Sequence, residues 1–402
     1  MTIHEAPAYP MARASGCPFD PPPKLRELQD EAPLVEVQIF GRPAWLVTRY
    51  AEQRKLLADP RLSADVTTSG YPSPTGTPPK SDGGVGIGFI LMDDPEHARL
   101  RRMVTAPFMI KRVEAMRPGV QKIVDGLIDD LLAGPKPVDL MEAFALPVPS
   151  LVICQLLGVP YADHDFFQQN SKQLIKMTAT QEQRATAHGN LAAYLDNLVG
   201  EKLDNPGDDL LSGLTERIKT GELTRQDAAG IGVLLLLAGH ETTANMIALG
   251  TLALLEHPEQ LAVLRETDDP KLVAGAVEEL LRYLNITHNG RRRAVLEDIE
   301  LDGQVLKAGD GVIFPNDIGN RDPEVFPDPD VLDLQRDARR HVAFGFGVHQ
   351  CLGQPLARME LQVVYSTLYR RIPTLRRAAE LDEIPFKHEG AVYGVHSLPV
   401  TW

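Results

Sequence analysis

The chain has 402 residues, 43% apolar and 24% charged, the balance of an ordinary soluble globular protein with room for a substantial core. A net charge of −14 argues against general nucleic-acid affinity. Three cysteines, Cys17, Cys154 and Cys351, lie far apart and indicate neither a disulfide framework nor a zinc cluster, which suits a reducing cytoplasm.

The N-terminal stretch MTIHEAPAYPMARASGCPFDPPP carries no apolar segment of a signal peptide or membrane anchor. Strand-like text follows in PLVEVQIF and PAWLVT. Residues 63–92 contain a stretch dense in Gly, Pro, Ser and Thr, SADVTTSGYPSPTGTPPKSDGGVGIG, and a loop that long inside a compact protein usually serves as a lid or a linker. From DDPEHARLRRMVTAPF to about residue 285 the pattern is helical, with apolar residues at three- and four-residue spacing in VQKIVDGLIDDLLAG, HGNLAAYLDNLVGEKL and AGAVEELLRYL. A long central helix is expected over residues 224–256, and its most apolar run, IGVLLLLAG, is too short to span a bilayer. Strand signals return in IELDGQVLKAGDGVIFP, with a turn at AGD, and the Pro/Asp-rich NRDPEVFPDPDVLDLQRD leads to the last cysteine. One more helix, QPLARMELQVVYSTLYRR, precedes a strand-like tail. The expectation is a mainly α, triangular, helix-rich single domain over residues 1–402, with small sheets near both ends.

Four patterns carry chemistry. FGFGVHQCLG, residues 344–353, sets Cys351 among Gly345, Gly347 and Gly353, which let the chain bend closely, while the following helix directs its positive N-terminus at the sulfur. Most free cysteines are small buried hydrophobes, but a lone thiolate with no second soft ligand nearby suits an axial haem position better than zinc or iron–sulfur. AGHETTAN sets polar Glu241 and Thr242 inside an apolar helix, with small Ala238 and Gly239 a turn before. The plainer alternative is a threonine bonded back to its own helix, with Glu241 at an interhelical contact. EELLR puts Glu279 and Arg282 three residues apart on one helix face, and HARLR puts His97 and Arg101 one turn apart.

FGFGVHQCLGQPLAR, AGHETTAN, EELLR and HARLR, in this order-preserving arrangement over nearly the whole chain, resemble the cytochrome P450 haem-thiolate monooxygenases of the soluble actinomycete type. The resemblance implies haem b with Cys351 as proximal iron ligand, Phe344 beside the sulfur and His349 reaching a propionate. It implies propionate contacts from His97, Arg101 and an arginine of the RRR run: counting from DIELDG selects Arg293, and counting from Arg282 selects Arg291. It makes Glu241 and Thr242 the acid–alcohol pair that delivers protons to dioxygen, and Glu279 with Arg282 a structural pair. The third member of that network usually follows PDPD, where this chain has Val331, leaving Arg336 or Arg340 to replace it. The implied pocket comprises Ile87, Ile90 and Leu91 of the lid, the 163–190 region, Leu235, Ala238, Ile286, Asn289, Val392 and Tyr393.

The implied reaction hydroxylates a medium or large, mostly apolar molecule (macrolide or polyketide, terpenoid, statin-like, steroid-like or xenobiotic) with O2. Electrons come from a ferredoxin and its reductase, because no reductase domain is fused. The basic residues Arg99, Arg101, Arg102, Lys111 and Arg112, with Arg336, Arg339, Arg340 and Arg358, reverse the overall charge and suit an acidic ferredoxin. A peroxide-driven hydroxylase or a nitric oxide reductase is the second reading, against which the retained Glu241 counts; a haem sensor is the third. The expected protein is a cytoplasmic monomer with no nucleic-acid or membrane partner.

Overall fold

The computed structural model describes residues 6–73, 88–175, 179–388 and 392–402. Helices predominate, and the architecture is organised around one of them. Thr224 starts the 32-residue helix Arg225–Glu256 with a capping box: its hydroxyl accepts from the Asp227 amide while the Asp227 carboxylate accepts from the Thr224 amide. Apolar side chains surround this helix on every side, so it packs inside the protein rather than on its surface. Its length and hydropathy alone would permit a bilayer crossing; instead 72% of its most apolar window is buried against other elements. The helices Pro147–Leu157, Gln181–Asp204, Leu210–Lys219 and Gln354–Arg371 pack on it.

Two buried tyrosines join the central helix to Gln354–Arg371. Tyr365 donates its hydroxyl to the Met246 carbonyl at 2.5 Å, and Tyr369 lies 3.2 Å from the Thr251 hydroxyl. The helix Pro270–Tyr283, opened by the Asp269 cap and Pro270, carries its charged residues Glu278, Glu279 and Arg282 to the interior.

The strands form small sheets that join segments distant in sequence. A six-stranded sheet interleaves them in the order Ala8–Tyr9, Leu34–Ile39, Arg42–Val47, Gly311–Phe314, Arg291–Val295, Leu62–Ser63. Trp45 pairs with Val312 in parallel, and Arg293 pairs with Val312 antiparallel, so strands from the two halves of the chain lie side by side. A second sheet joins Arg376–Arg377, Pro399–Thr401 and Val138–Asp139. The turn expected at AGD is made at Gly309, φ +91°; a second reversal, at Asp302–Gly303, joins Ile299–Leu301 to Gln304–Leu306 through the Asp-Gly pair that two-residue hairpins favour.

Candidate active site

The cysteine loop is shaped by its glycines. Gly345 and Gly347 hold φ of +75° and +77°, a region that costs side-chain-bearing residues energy. A Cβ on Gly345 would lie 2.8 Å from Arg291 Nε, and one on Gly347 would overlap the Leu57 carbonyl oxygen. The Cys351 amide donates to the Phe344 carbonyl at 2.9 Å, and Gly353 caps the helix Gln354–Arg371. The Phe344 ring lies 4.5 Å from the Arg358 guanidinium carbon.

Cys351 keeps accessible surface, yet protein atoms crowd its thiol. That crowding raises its pKa, opposed by the Gly353 amide and by the charges of Arg291, Arg101 and Arg358. The other cysteines differ. Cys154 is buried, which pushes its thiol up to about 12, and Cys17 is exposed. Only Cys351 combines access with cations and a backbone donor.

Imidazoles and guanidinium groups gather beside this loop. The rings of His97 and His349 meet at a tilt of 31° with centroids 4.0 Å apart, and Arg101 donates to the Gln350 carbonyl. Burial lowers the His349 pKa to about 3, and Arg293, His97 and Arg101 push in the same direction. Strand alternation turns Arg291 and Arg293 to one face. Arg293 lies within electrostatic reach of His349, whereas Arg291, half-buried, lies against Gly345 and donates to the Ala343 carbonyl at 2.9 Å. Burial lowers the Arg291 pKa to about 10. His97 Nε2 and Arg291 Nη1 are buried polar atoms with no protein partner. A soft sulfur ligand, flanked by buried cationic donors with unmet hydrogen-bonding capacity, fits haem b and its two carboxylates.

On the central helix, burial is interrupted over Leu237–Thr242 except at His240: Ala238 is exposed and Gly239, Glu241 and Thr242 are partly so, between buried runs on both sides. Thr242 donates to the Ala238 carbonyl at 2.6 Å, the back-bond that a helix-interior threonine favours. Glu241 pairs with Lys387 of the C-terminal segment at 3.3 Å.

Glu279 and Arg282 form a fully buried two-bond pair at 2.7 and 2.8 Å. Of the two candidates for the third position, Arg336 reaches Glu279 at 3.2 Å, while Arg340 donates to the Val325 carbonyl. The Val331 backbone carbonyl accepts from both Arg282 and Arg336, so its side chain is not needed. A second network went unseen in the sequence: Glu278 is held by Arg358 at 2.6 Å and by His341 at 3.1 Å. Burial by itself would raise the Glu278 pKa, but these two partners outweigh it and bring it down to about 2.

Among the pocket candidates, Ile87 lies outside the described residues. Leu91, Ile286, Asn289 and Val392 are partly accessible, Leu235 is nearly buried, and Ile90 is exposed. Tyr393 is not an open wall residue: it is buried against Phe386 and gives its hydroxyl to the Pro18 carbonyl at 2.9 Å. Asp93 ties down both ends of the lid-like segment through Ser63 and the Ala64 amide. The basic group divides as well. Arg101, Arg336 and Arg358 are engaged with the interior, leaving Arg102, Lys111, Arg112, Arg339 and Arg340 exposed.

Comparison with known proteins places this geometry. The cytochrome P450 family model matches residues 204–373. Cytochrome P450 GfsF from Streptomyces halstedii is 57% identical over 99% of this chain and 97% of its own length. Its crystal structure superposes with a TM-score of 0.93, covering 99% of this chain and all of the other. Cytochrome P450-SU2 from Streptomyces griseolus is 52% identical over 99% of this chain and 98% of its own. The crystal structure of a mycinamicin VIII C21 methyl hydroxylase from Micromonospora griseorubida, bound to mycinamicin VIII, is 43% identical with a TM-score of 0.86 over 98% of this chain and all of the other. The chain therefore belongs to the cytochrome P450 family, as a monooxygenase that binds haem b through a cysteine thiolate.

Proposed function

We propose that this enzyme hydroxylates a medium or large, mostly apolar secondary metabolite, a macrolide-type lactone before a terpenoid, using O2 and electrons from a ferredoxin. Cys351 is the sulfur ligand, and His97, Arg101, Arg293 and His349 hold the carboxylates of the haem, with Arg291 as a further donor. When bound, the haem supplies oxygen activation, which thiolate donation favours. Thr242 presents a hydroxyl beside the exposed Ala238, and Glu241 provides the ionisable group one residue away. Together they bring protons to the site of oxygen reduction.

The observation that carries this reading is the interruption of burial at Ala238–Thr242 in a helix otherwise enclosed along its apolar length. A small-residue gap with an alcohol and an acid, at an accessible point of a core helix, is costly unless it is used. The substrate class is supported by the mycinamicin hydroxylase and by a 20-oxo-5-O-mycaminosyltylactone 23-monooxygenase of Streptomyces fradiae, 42% identical over 98% of this chain. Pentalenic acid synthase of Streptomyces avermitilis, 47% identical, supports the terpenoid class. The retained Glu241 argues against peroxide-driven and nitric oxide-reducing chemistry.

A substrate-induced spin-state screen tests the proposal. Glycosylated macrolactones should give the high-spin shift at micromolar concentration and yield a product 16 mass units heavier with ferredoxin, its reductase and NADPH. A shift with terpenoids alone would reassign the substrate, and turnover with peroxide but not with ferredoxin would reassign the oxidant.

A further inference from the structure

Glu241 is read above as the proton-delivering acid, yet its carboxylate is held by the tail of the chain. Lys387 Nζ stands 3.3 Å from Glu241 Oε1, with the lysine side chain 10% and the glutamate side chain 24% exposed. The tail reaches the helix through a paired backbone. Phe386 bridges Val395, the Lys387 amide donates to the Gly394 carbonyl at 2.8 Å, and the His396 amide donates to the Pro385 carbonyl at 2.7 Å.

This hairpin sits directly on the central helix, one turn beyond Glu241. A Cβ on Gly394 would overlap Asn245 Oδ1, so the close approach requires glycine there. Asn245 in turn donates its side-chain amide to the Glu241 carbonyl at 2.8 Å. His396 lies within electrostatic reach of Lys387, Glu241 and His388, and His240, bonded to the Leu146 carbonyl, also feels Lys387. Among the described residues, Lys387 Nζ has Glu241 as its one carboxylate partner.

We infer that Lys387 is a positioning residue for Glu241, and that protons enter the oxygen site from the side of this C-terminal hairpin. The inference rests on the reading of Glu241 as the acid. Lys387 makes one charged hydrogen bond to the carboxylate and so retains it without locking it. A proton given up by solvent hydronium, which leaves as water, converts the Glu241 carboxylate to the neutral acid and cancels the charge that Lys387 attracts. The side chain is then free to turn towards the Thr242 hydroxyl and pass the proton on. Once it has done so, the carboxylate is charged again and returns to Lys387.

The test uses the holoenzyme and its variants Lys387→Met, Lys387→Arg and Glu241→Gln, with a macrolactone that gives the spin-state shift. Lys387→Met should keep a normal carbon monoxide difference spectrum, lower product per NADPH several-fold, release peroxide and change the solvent deuterium isotope effect. Lys387→Arg should restore most of the coupling. Independently of turnover, thermal unfolding of the wild type, K387M, E241Q and the double variant should be non-additive, and amide exchange over residues 385–396 should be unchanged in K387M. Additive unfolding would overturn the inference, and so would wild-type coupling in K387M while E241Q is uncoupled, leaving the acid reading intact. Accelerated hairpin exchange without rescue by K387R would make Lys387 a strut and equally overturn it. Wild-type coupling in E241Q would instead remove the acid reading, and this inference with it.

Discussion

The three cysteines are chemically alike in sequence and differ only in surroundings. Cys154 is enclosed by apolar side chains and acts as a small hydrophobe. Cys351 has a backbone donor and three arginine charges that oppose burial, which still leaves its pKa raised, so coordination to the iron would complete the thiolate. Replacing Cys351 by Ser should abolish the red-shifted Soret band of the reduced carbon monoxide complex; a persisting thiolate band would assign the ligand elsewhere. Thr242 requires a different readout, because its hydroxyl already satisfies the Ala238 carbonyl and its removal leaves no donor stranded. Thr242→Ala should therefore fold normally and bind haem but divert NADPH electrons to peroxide. Product yield per NADPH, measured alongside peroxide, checks this, and unchanged coupling would route the protons elsewhere.

At the level of elements, the helix Pro270–Tyr283 presents two consecutive glutamates to two separate networks. Glu279 joins Arg282 and Arg336 beneath the segment before the cysteine loop, and Glu278 joins Arg358 and His341 beside it. Removing one partner of a fully buried pair strands the other charge, at a cost of about 3–5 kcal/mol. Glu279→Ala should sharply reduce the yield of folded holoenzyme. By contrast, Glu114→Ala, which breaks a half-exposed pair with Arg117, should cost roughly 0–1 kcal/mol by denaturant titration. The Glu278 network also sets an acid limit. Its folded pKa of about 2 lies below the ordinary value of about 4.3, so its stabilisation is complete above about pH 4.5 and is lost as the pH falls towards 2. Glu278→Gln should cost roughly 3 kcal/mol at pH 7, and acid unfolding curves should show the gap to wild type closing below pH 3.

For the whole molecule, Glu360 works in the opposite sense. It lies wholly buried in the helix Gln354–Arg371 with one carboxyl oxygen unpartnered, and burial pushes its pKa up to about 8. A raised carboxyl pKa means that the folded state holds a proton the unfolded chain releases. Stability therefore falls as the pH rises from about 4.5 to 8 and levels off above. Glu360→Gln, which removes the ionisation and keeps the shape, should raise the melting temperature at pH 8 by an amount that vanishes near pH 4.5. An upper value of about 5 kcal/mol follows from the size of the shift. Glu278 and Glu360 thus give stability opposite slopes on the two sides of about pH 4.5.

Local chemistry was legible in the sequence because it depends on neighbours along the chain. Gly345 and Gly347 around Cys351, Glu279 with Arg282 one turn apart, His97 with Arg101, and the 224–256 helix are short-range patterns set by backbone freedom and helical spacing. The joining of both chain halves in one six-stranded sheet was not legible, since a strand pattern records which face is buried and not which strand lies beside it. The same limit applied to the site. Arg336, rather than Arg340, completes the Glu279 network because of where the backbone of residues 327–331 turns. Likewise, Arg358 reads as a surface charge until Glu278 is folded against it. Lys387 gives no sign in the sequence of its pairing with Glu241, 146 residues away, because a long-range ion pair leaves no periodicity in either segment. Short motifs around Cys351, Glu241, Glu279 and His97 determined the family by resemblance, and that resemblance implied the haem and the reacting side chains expected of it. Tertiary packing alone decided which charges are shared, which are stranded and which segment meets Glu241, because the energy of a charge depends on what surrounds it in space.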